Sequence, residues 1–392
     1  MRRVLLMVAV LVIGVVGTLF ATSASGGPRF APLGEPSVPS VPAAQVTYAP
    51  APGATDVDPG RPATLAVTDG TLTGVRLRTT EGDAVEGELT PDGSRWHATG
   101  SLRYATTYEW SGAVEDADGT RTPLQGTFTT GEPARTIRGI LNIGDGRTVG
   151  IAAPIRIQFK GHVENRAAVE KALTVTTSTP VEGSWGWLPD EGGGSRIDYR
   201  TKEYWPAYTQ VTVEARLEGV DYGGGAAGAA DVTSTFTIGR AQIVKADVNS
   251  FRMIVIRDGA QVFDFPASYG LGSDPERNTR SGVHVVSEKF TDKRMVSERY
   301  GYDLVEKWAV RISNNGEFIH ANPASTGVQG SANVTHGCVN LSTENAKAYY
   351  DSALYGDPVE VTGTPIELGP SDGDIWDWTV PWAQWKTFSA LG

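Results

Sequence analysis

Cys338 is the one cysteine in 392 residues, and it sits in "IHANPASTGVQGSANVTHGCVN", two positions after His336 and with seventeen residues between it and His320. A thiol becomes a strong nucleophile when a base removes its proton and nearby charge favours the thiolate. An imidazole is the natural base at neutral pH. Gly337 lets the backbone approach a substrate closely, and successive N–H groups there could bind a developing oxyanion. Two other readings of the cysteine exist. It could be a small, inert buried hydrophobe, although "THGCVN" is polar and loop-like. It could ligate a metal, but one thiol with His320 and His336 supplies at most three ligands and no nearby carboxylate suggests itself. From the residues alone the nucleophile is preferred, with the inert cysteine as its alternative.

The elements that must position this stretch are strands. From Ala241, "QIVKADV", "FRMIVIRDG", "QVFDFPASYG", "GVHVVSEK", "EKWAVRIS" and "GEFIHA" are dense apolar strand patterns, with Asp258-Gly259 as a hairpin turn. After Asn340 the period changes. Ser342 is a good N-cap, Glu344 falls in the first turn, and Ala346, Tyr349, Tyr350, Ala353 and Leu354 mark one helical face that Gly356 can end. Cys338 is thus expected in a loop just before a helix. Lys289, Lys293, Arg294 and Arg299 are read as a solvated loop. His284 is either a packed side chain or a substrate contact, and His97 and His162 are surface residues.

Upstream, residues 46–133 show short alternating stretches between turn residues, the pattern of a β-sandwich. Residues 134–239 echo them: "TFTTG" at Thr127–Gly131 returns as "TFTIG" at Thr235–Gly239. Two copies are too few for a solenoid, so they read as spacers. Trp185, Trp187 and Trp205 are assigned to packing rather than to a sugar site. The tail, 364–392, carries Trp376, Trp378, Trp382 and Trp385 and is expected to dock through these rings on the domain that precedes it.

The chain begins Met1-Arg2-Arg3, runs apolar from Val4 to Phe20 and then turns small and polar. That order reads as a secretory signal over 1–26, either cleaved or kept as an anchor. A Pro/Ala-rich linker over 27–45 would hold the folded part off the membrane. A net charge of -11 argues against a nucleic-acid partner. A single cysteine allows no intramolecular disulfide, so stability must come from ordinary cores.

The H-x17-C spacing ending in "THGCVN" resembles the signature of the YkuD-type L,D-transpeptidases, which cross-link peptidoglycan. "TRSGVHVV", Tyr302, Trp308 and the tryptophan-bearing tail are similar to the multi-domain actinobacterial members. The resemblance implies a mainly β chain: two tandem immunoglobulin-like sandwiches, a β-rich catalytic domain over 240–363 with a short helix, and a Trp-rich C-terminal subdomain. It implies Cys338 as nucleophile and His320 as base, with His336 in support. Gly337 and Cys338 N–H groups, helped by the Tyr302 hydroxyl, would form the oxyanion hole. Asn340 would organise the loop, and Thr335 takes the place of the usual serine or threonine. Ala321 stands where many relatives have serine, so only its carbonyl could hold the imidazole. Ala324 replaces a tryptophan of some relatives.

The reaction implied is acyl transfer from a tetrapeptide stem, with release of D-alanine and a 3→3 cross-link to an acceptor amine. Neither metal nor cofactor is needed, and carbapenems are expected inhibitors. Other outcomes stay open: water as acceptor (an L,D-carboxypeptidase), a protein acceptor, or a non-enzymatic cell-wall-binding protein. A secreted cysteine protease lacks any papain-like or caspase-like signature. The place of action implied is the cell envelope, outside the cytoplasm.

Overall fold

Period-two alternation becomes sheets almost throughout the computed structural model, which describes residues 42–392. The 1–26 segment and most of the 27–45 linker lie outside the described residues.

The first stretch builds two facing sheets. One runs in the order Gln45–Ala49, Thr64–Thr68, Arg95–Ala98, Gly87–Leu89. The other runs Ala84–Val85, Gly70–Thr79, Thr107–Asp116, Arg121–Pro123. Leu65, Leu77, Trp96, Tyr108, Trp110 and Phe128 fill the space between them. Trp96 meets Trp110 edge to face at 5.3 Å, a favoured aromatic geometry.

The second stretch repeats the plan around a separate core. One sheet runs Gly139–Leu141, Ile155–Phe159, Gly194–Thr201, Gly183–Glu191, and the other Thr148–Val149, Val232–Ile238, Gln210–Ala215, Leu173–Thr177. Trp185, Trp187 and Trp205 are buried in this core, as packing rather than surface display requires.

The third stretch holds a five-stranded and a four-stranded sheet. The first runs Ala260–Pro266, Arg252–Arg257, Gln242–Asp247, Pro358–Thr362, Gly282–Val285. Asp258 and Gly259 both take positive φ, 48° and 82°, as a tight two-residue hairpin turn demands. The second runs Glu288–Ser297, Tyr302–Arg311, Phe318–Ala321, Val339–Leu341. The Lys289–Arg299 stretch is therefore not a solvated loop. Its first nine residues, in the strand Glu288–Ser297, form one arm of a long hairpin, held by Arg294–Asp303 and Lys307–Asp292 pairs. Cross-strand partners of opposite charge and alternating apolar residues make it a strand despite its basic composition.

The helix Thr343–Ser352 follows, with Ser342 Oγ accepting from the Asn345 amide at 3.2 Å. Ala346 and Tyr349 are buried against the core that includes Val310, Ile319, Val339 and Leu341. The helix stops at Ser352, before Gly356, because Asp357 accepts the Leu354 amide at 2.9 Å and turns the chain. Asp357 also receives Arg240 at 2.7 and 2.6 Å, which ties the start of the catalytic stretch to the turn after its helix.

The tail departs from the expectation that it docks on the catalytic domain. It runs along the Gly282–Val285 edge as far as the short turn Asp377–Thr379, with Ile375 and Trp378 packing beside Val285. All four tryptophans then meet the second sandwich. Trp385 is wholly buried, donates to the Ser184 carbonyl at 3.0 Å and lies where a side chain at Gly186 would stand. Trp382 donates to Glu182 and Trp378 to the Ala152 carbonyl. Trp376 packs with Leu188. The physical reason is Arg200, whose guanidinium lies 4.9, 5.4 and 5.1 Å from the rings of Trp378, Trp382 and Trp385. The sandwich presents a cation to the rings, and the catalytic edge does not.

Candidate active site

Side-chain alternation places the base. Phe318–Ala321 pairs in parallel with Val339–Leu341, with His320 opposite Asn340. Ile319, Ala321, Val339 and Leu341 point into the core, so His320 and Asn340 share the opposite face. The imidazole Nδ1 donates to the Ala321 carbonyl at 2.9 Å, which fixes the tautomer and leaves the other nitrogen for a partner. The alanine at 321 costs nothing here, because its Cβ is in the core and only its carbonyl reaches the ring. Asn340 exchanges backbone bonds with Ser268 at 2.8 and 3.1 Å, and its side-chain oxygen is buried without a partner.

Cys338 lies half-buried in the turn just before that second strand, and its thiol donates to the Gly316 carbonyl at 3.5 Å. Thr335 ties the turn together: its hydroxyl donates to the Cys338 carbonyl at 2.7 Å and accepts the Gly337 amide at 3.2 Å. The Gly337 N–H expected in an oxyanion hole is thus engaged within the turn. Gly337 has φ of 113°, and its carbonyl accepts from Thr279 Oγ1 at 2.7 Å. Only glycine is at ease in that conformation. Beneath it lies buried Glu317, which accepts from the Arg280 amide at 3.0 Å and the Ser313 hydroxyl at 3.1 Å. His284 is fully buried, donates to the Arg280 carbonyl and faces Glu317 at 3.5 Å, so it is a packed side chain.

The long hairpin covers the thiol. His336 is exposed on the loop but rests on hairpin rings, 4.3 Å from Tyr300 and 5.4 Å from Tyr302. Burial and the Arg277 charge hold its pKa below the ordinary value, which suits a neutral ring that stacks. Burial raises the Tyr302 pKa, as do Cys338, Tyr300 and Glu306 nearby, so its hydroxyl stays protonated and able to donate. Ala324 is exposed in the short turn Pro323–Ser325, beyond these contacts.

His320 itself is buried, and burial alone would favour the neutral ring. The neighbouring Cys338 and Glu306 side chains and the Ala321 carbonyl outweigh it and push the pKa up to about 10. A protonated imidazole beside a thiol is the setting in which a thiolate is stable.

The comparisons with known proteins concern this same stretch. The profile of the L,D-transpeptidase catalytic domain matches residues 241–361, and that of a bacterial Ig domain matches 54–221, a range crossing both sheet pairs. L,D-transpeptidase 5 of Mycobacterium tuberculosis is 52% identical over 351 residues, covering 89% of this chain and 78% of that protein. The chain belongs to the L,D-transpeptidase family. L,D-transpeptidase 2 of the same species is 35% identical over 86% of this chain and 83% of its own length. A solved L,D-transpeptidase in complex with imipenem is 31% identical over 57% of this chain and 97% of that one, with a TM-score of 0.48. As a family member the chain is an enzyme of the L,D-transpeptidase class.

Of the residues that the sequence singled out in this transpeptidase, His320, Cys338, Thr335, Gly337 and Asn340 meet where two strands begin and end, and Tyr302 and His336 meet on the hairpin. Sequence reading missed Glu306 and Glu317. Glu306 stands at the His320 ring and Glu317 beneath Gly337. Glu306 could have been found from the alternation Tyr302, Leu304, Glu306, which puts it on the Tyr302 face. Glu317 carried no such signal, since its role depends on the turn between two strands.

Proposed function

We propose that the chain forms 3→3 peptidoglycan cross-links by acyl transfer through Cys338, outside the cytoplasm, with the N-terminal segment serving export or anchoring. The observation that carries this reading is a half-exposed Cys338 close enough to act on a buried His320, whose Nδ1 is anchored on the Ala321 carbonyl. In the first step the Cys338 thiolate attacks the carbonyl of the third stem residue. The peptide C–N bond breaks, the His320 imidazolium gives its proton to the leaving amine, and D-alanine departs. In the second step the neutral imidazole takes a proton from an acceptor amine as that amine attacks the thioester. The thiolate is released and the imidazolium restored. The Tyr302 hydroxyl and the Cys338 amide are the donors assigned to the oxyanion, because the Gly337 amide is engaged by Thr335. Asn340 and Thr335 hold the loop, and His336 buttresses the hairpin. Stem peptides are the substrates and carbapenems the expected inhibitors, acylating the same thiol.

Incubating the protein with disaccharide-tetrapeptide and reading products by mass spectrometry tests the proposal. A cross-linked dimer with free D-alanine is expected. Tripeptide as the sole product would replace the amine acceptor by water. A carbapenem adduct on the wild type that persists in Cys338→Ala would remove the nucleophile from the scheme.

A further inference from the structure

Glu306 is the feature of the site for which neither the motif nor the loop accounts. It lies on the hairpin strand Tyr302–Arg311, two alternations from Tyr302 and on the same face. Its side chain is 14% exposed and its Oε2 is 3.6 Å from Nδ1 of His320. That distance is an ion-pair contact rather than a hydrogen bond, so the Nδ1 proton goes to the Ala321 carbonyl and the carboxylate acts on the ring through its charge. Its cross-strand partner is Lys293, whose ammonium lies instead over the rings of Phe290 and Phe318, at 4.4 and 5.9 Å. His320 is the only ion partner of Glu306 among the described residues. The titratable groups facing the ring are therefore Cys338 on one side and Glu306 on the other, with Tyr302 near both.

We propose that Glu306 is a positioning residue for His320, whose carboxylate orients the ring and stabilises its protonated form. This rests on the reading of Cys338 and His320 as nucleophile and base. The hairpin then does more than cover the cleft: its position decides whether the base is charged. With the carboxylate in place the imidazolium is ready as general acid for the departing D-alanine.

The test is an NMR pH titration of the His320 ring, tractable with five histidines in the chain, in the wild type, Glu306→Gln and Glu306→Asp. The wild-type ring is expected to remain protonated at pH 8. In Glu306→Gln the midpoint should fall by roughly one to two pH units, as loss of an opposite charge at this range does. Glu306→Asp should lie between. The alkaline limb of kcat/KM for D-alanine release should move with the midpoint while KM stays. A Glu306→Gln midpoint equal to wild type would overturn the inference. So would a wild-type ring titrating at the ordinary imidazole value, a result that needs no variant to fold. Adduct formation is read in parallel: a wild type that never acylates at Cys338 fails the functional reading and leaves the titration to judge Glu306.

Discussion

Two regions of this transpeptidase bury charged groups, and they differ in one respect. Around Cys338, His320 faces Glu306 and a half-exposed thiol. Where the tail meets the second sandwich, Arg156 and Arg196 close on Asp198 at 3.3 and 2.6 Å, with Asp374 and Asp377 alongside. Both clusters have strongly shifted pKa values. Asp377, fully buried beside Asp198 with neither oxygen hydrogen-bonded by its side-chain neighbours, is pushed up to about 7 by burial first and by Asp198 second. Yet the tail cluster has no reactive atom that a substrate can reach, and its donors reach backbone carbonyls such as Asp374 and Val380. A perturbed group marks a functional site only when an accessible nucleophile or acceptor stands beside it.

Four changes would break or sharpen that comparison. Cys338→Ala should abolish both D-alanine release and the carbapenem adduct, with thermal stability close to wild type, as activity assay and calorimetry would show. Gly337→Ala should lower kcat by about 100-fold, because a side chain at φ 113° costs about 1–2 kcal/mol and displaces the thiol. The nearest atoms to the new Cβ, Asn278 O at 3.4 Å and Glu317 Cγ at 3.5 Å, leave room, so the chain should still fold.

Trp385→Ala should do the reverse. Removing a wholly buried indole costs about 3–5 kcal/mol, read as a lower denaturation midpoint, while the rate of adduct formation at 25 °C is unchanged. The smallest effect belongs to Asp377. Its folded pKa is raised, so its contribution is fully present below pH 3.8 and is lost as pH rises through about 7. Wild-type Tm should therefore decline over that window, and Asp377→Asn should flatten the decline. An unchanged slope would show that the buried arginines already neutralise the carboxylate.

Much of the site was legible because its chemistry is local. Cys338, Gly337, His336 and Thr335 are neighbours in the chain, and the Ser342 cap and the Asp258-Gly259 turn depend on residues a few positions apart. The strand pattern likewise announced a mainly β protein. The hairpin was less legible: Lys293, Arg294 and Arg299 look like plain surface charge until Glu306, Asp303 and Glu276 are brought opposite them.

The sequence by itself determined which atom can attack, which rings can serve it and that strands must carry them, since residue type and short-range periodicity decide those things. The tertiary structure alone decided that Glu306 meets the His320 ring, that Glu317 lies beneath Gly337, and that Trp378, Trp382 and Trp385 gather around Arg200 of the second sandwich. Each of these depends on contacts between segments far apart in the chain. Burial there changes the strength of a charge, and no local pattern records it.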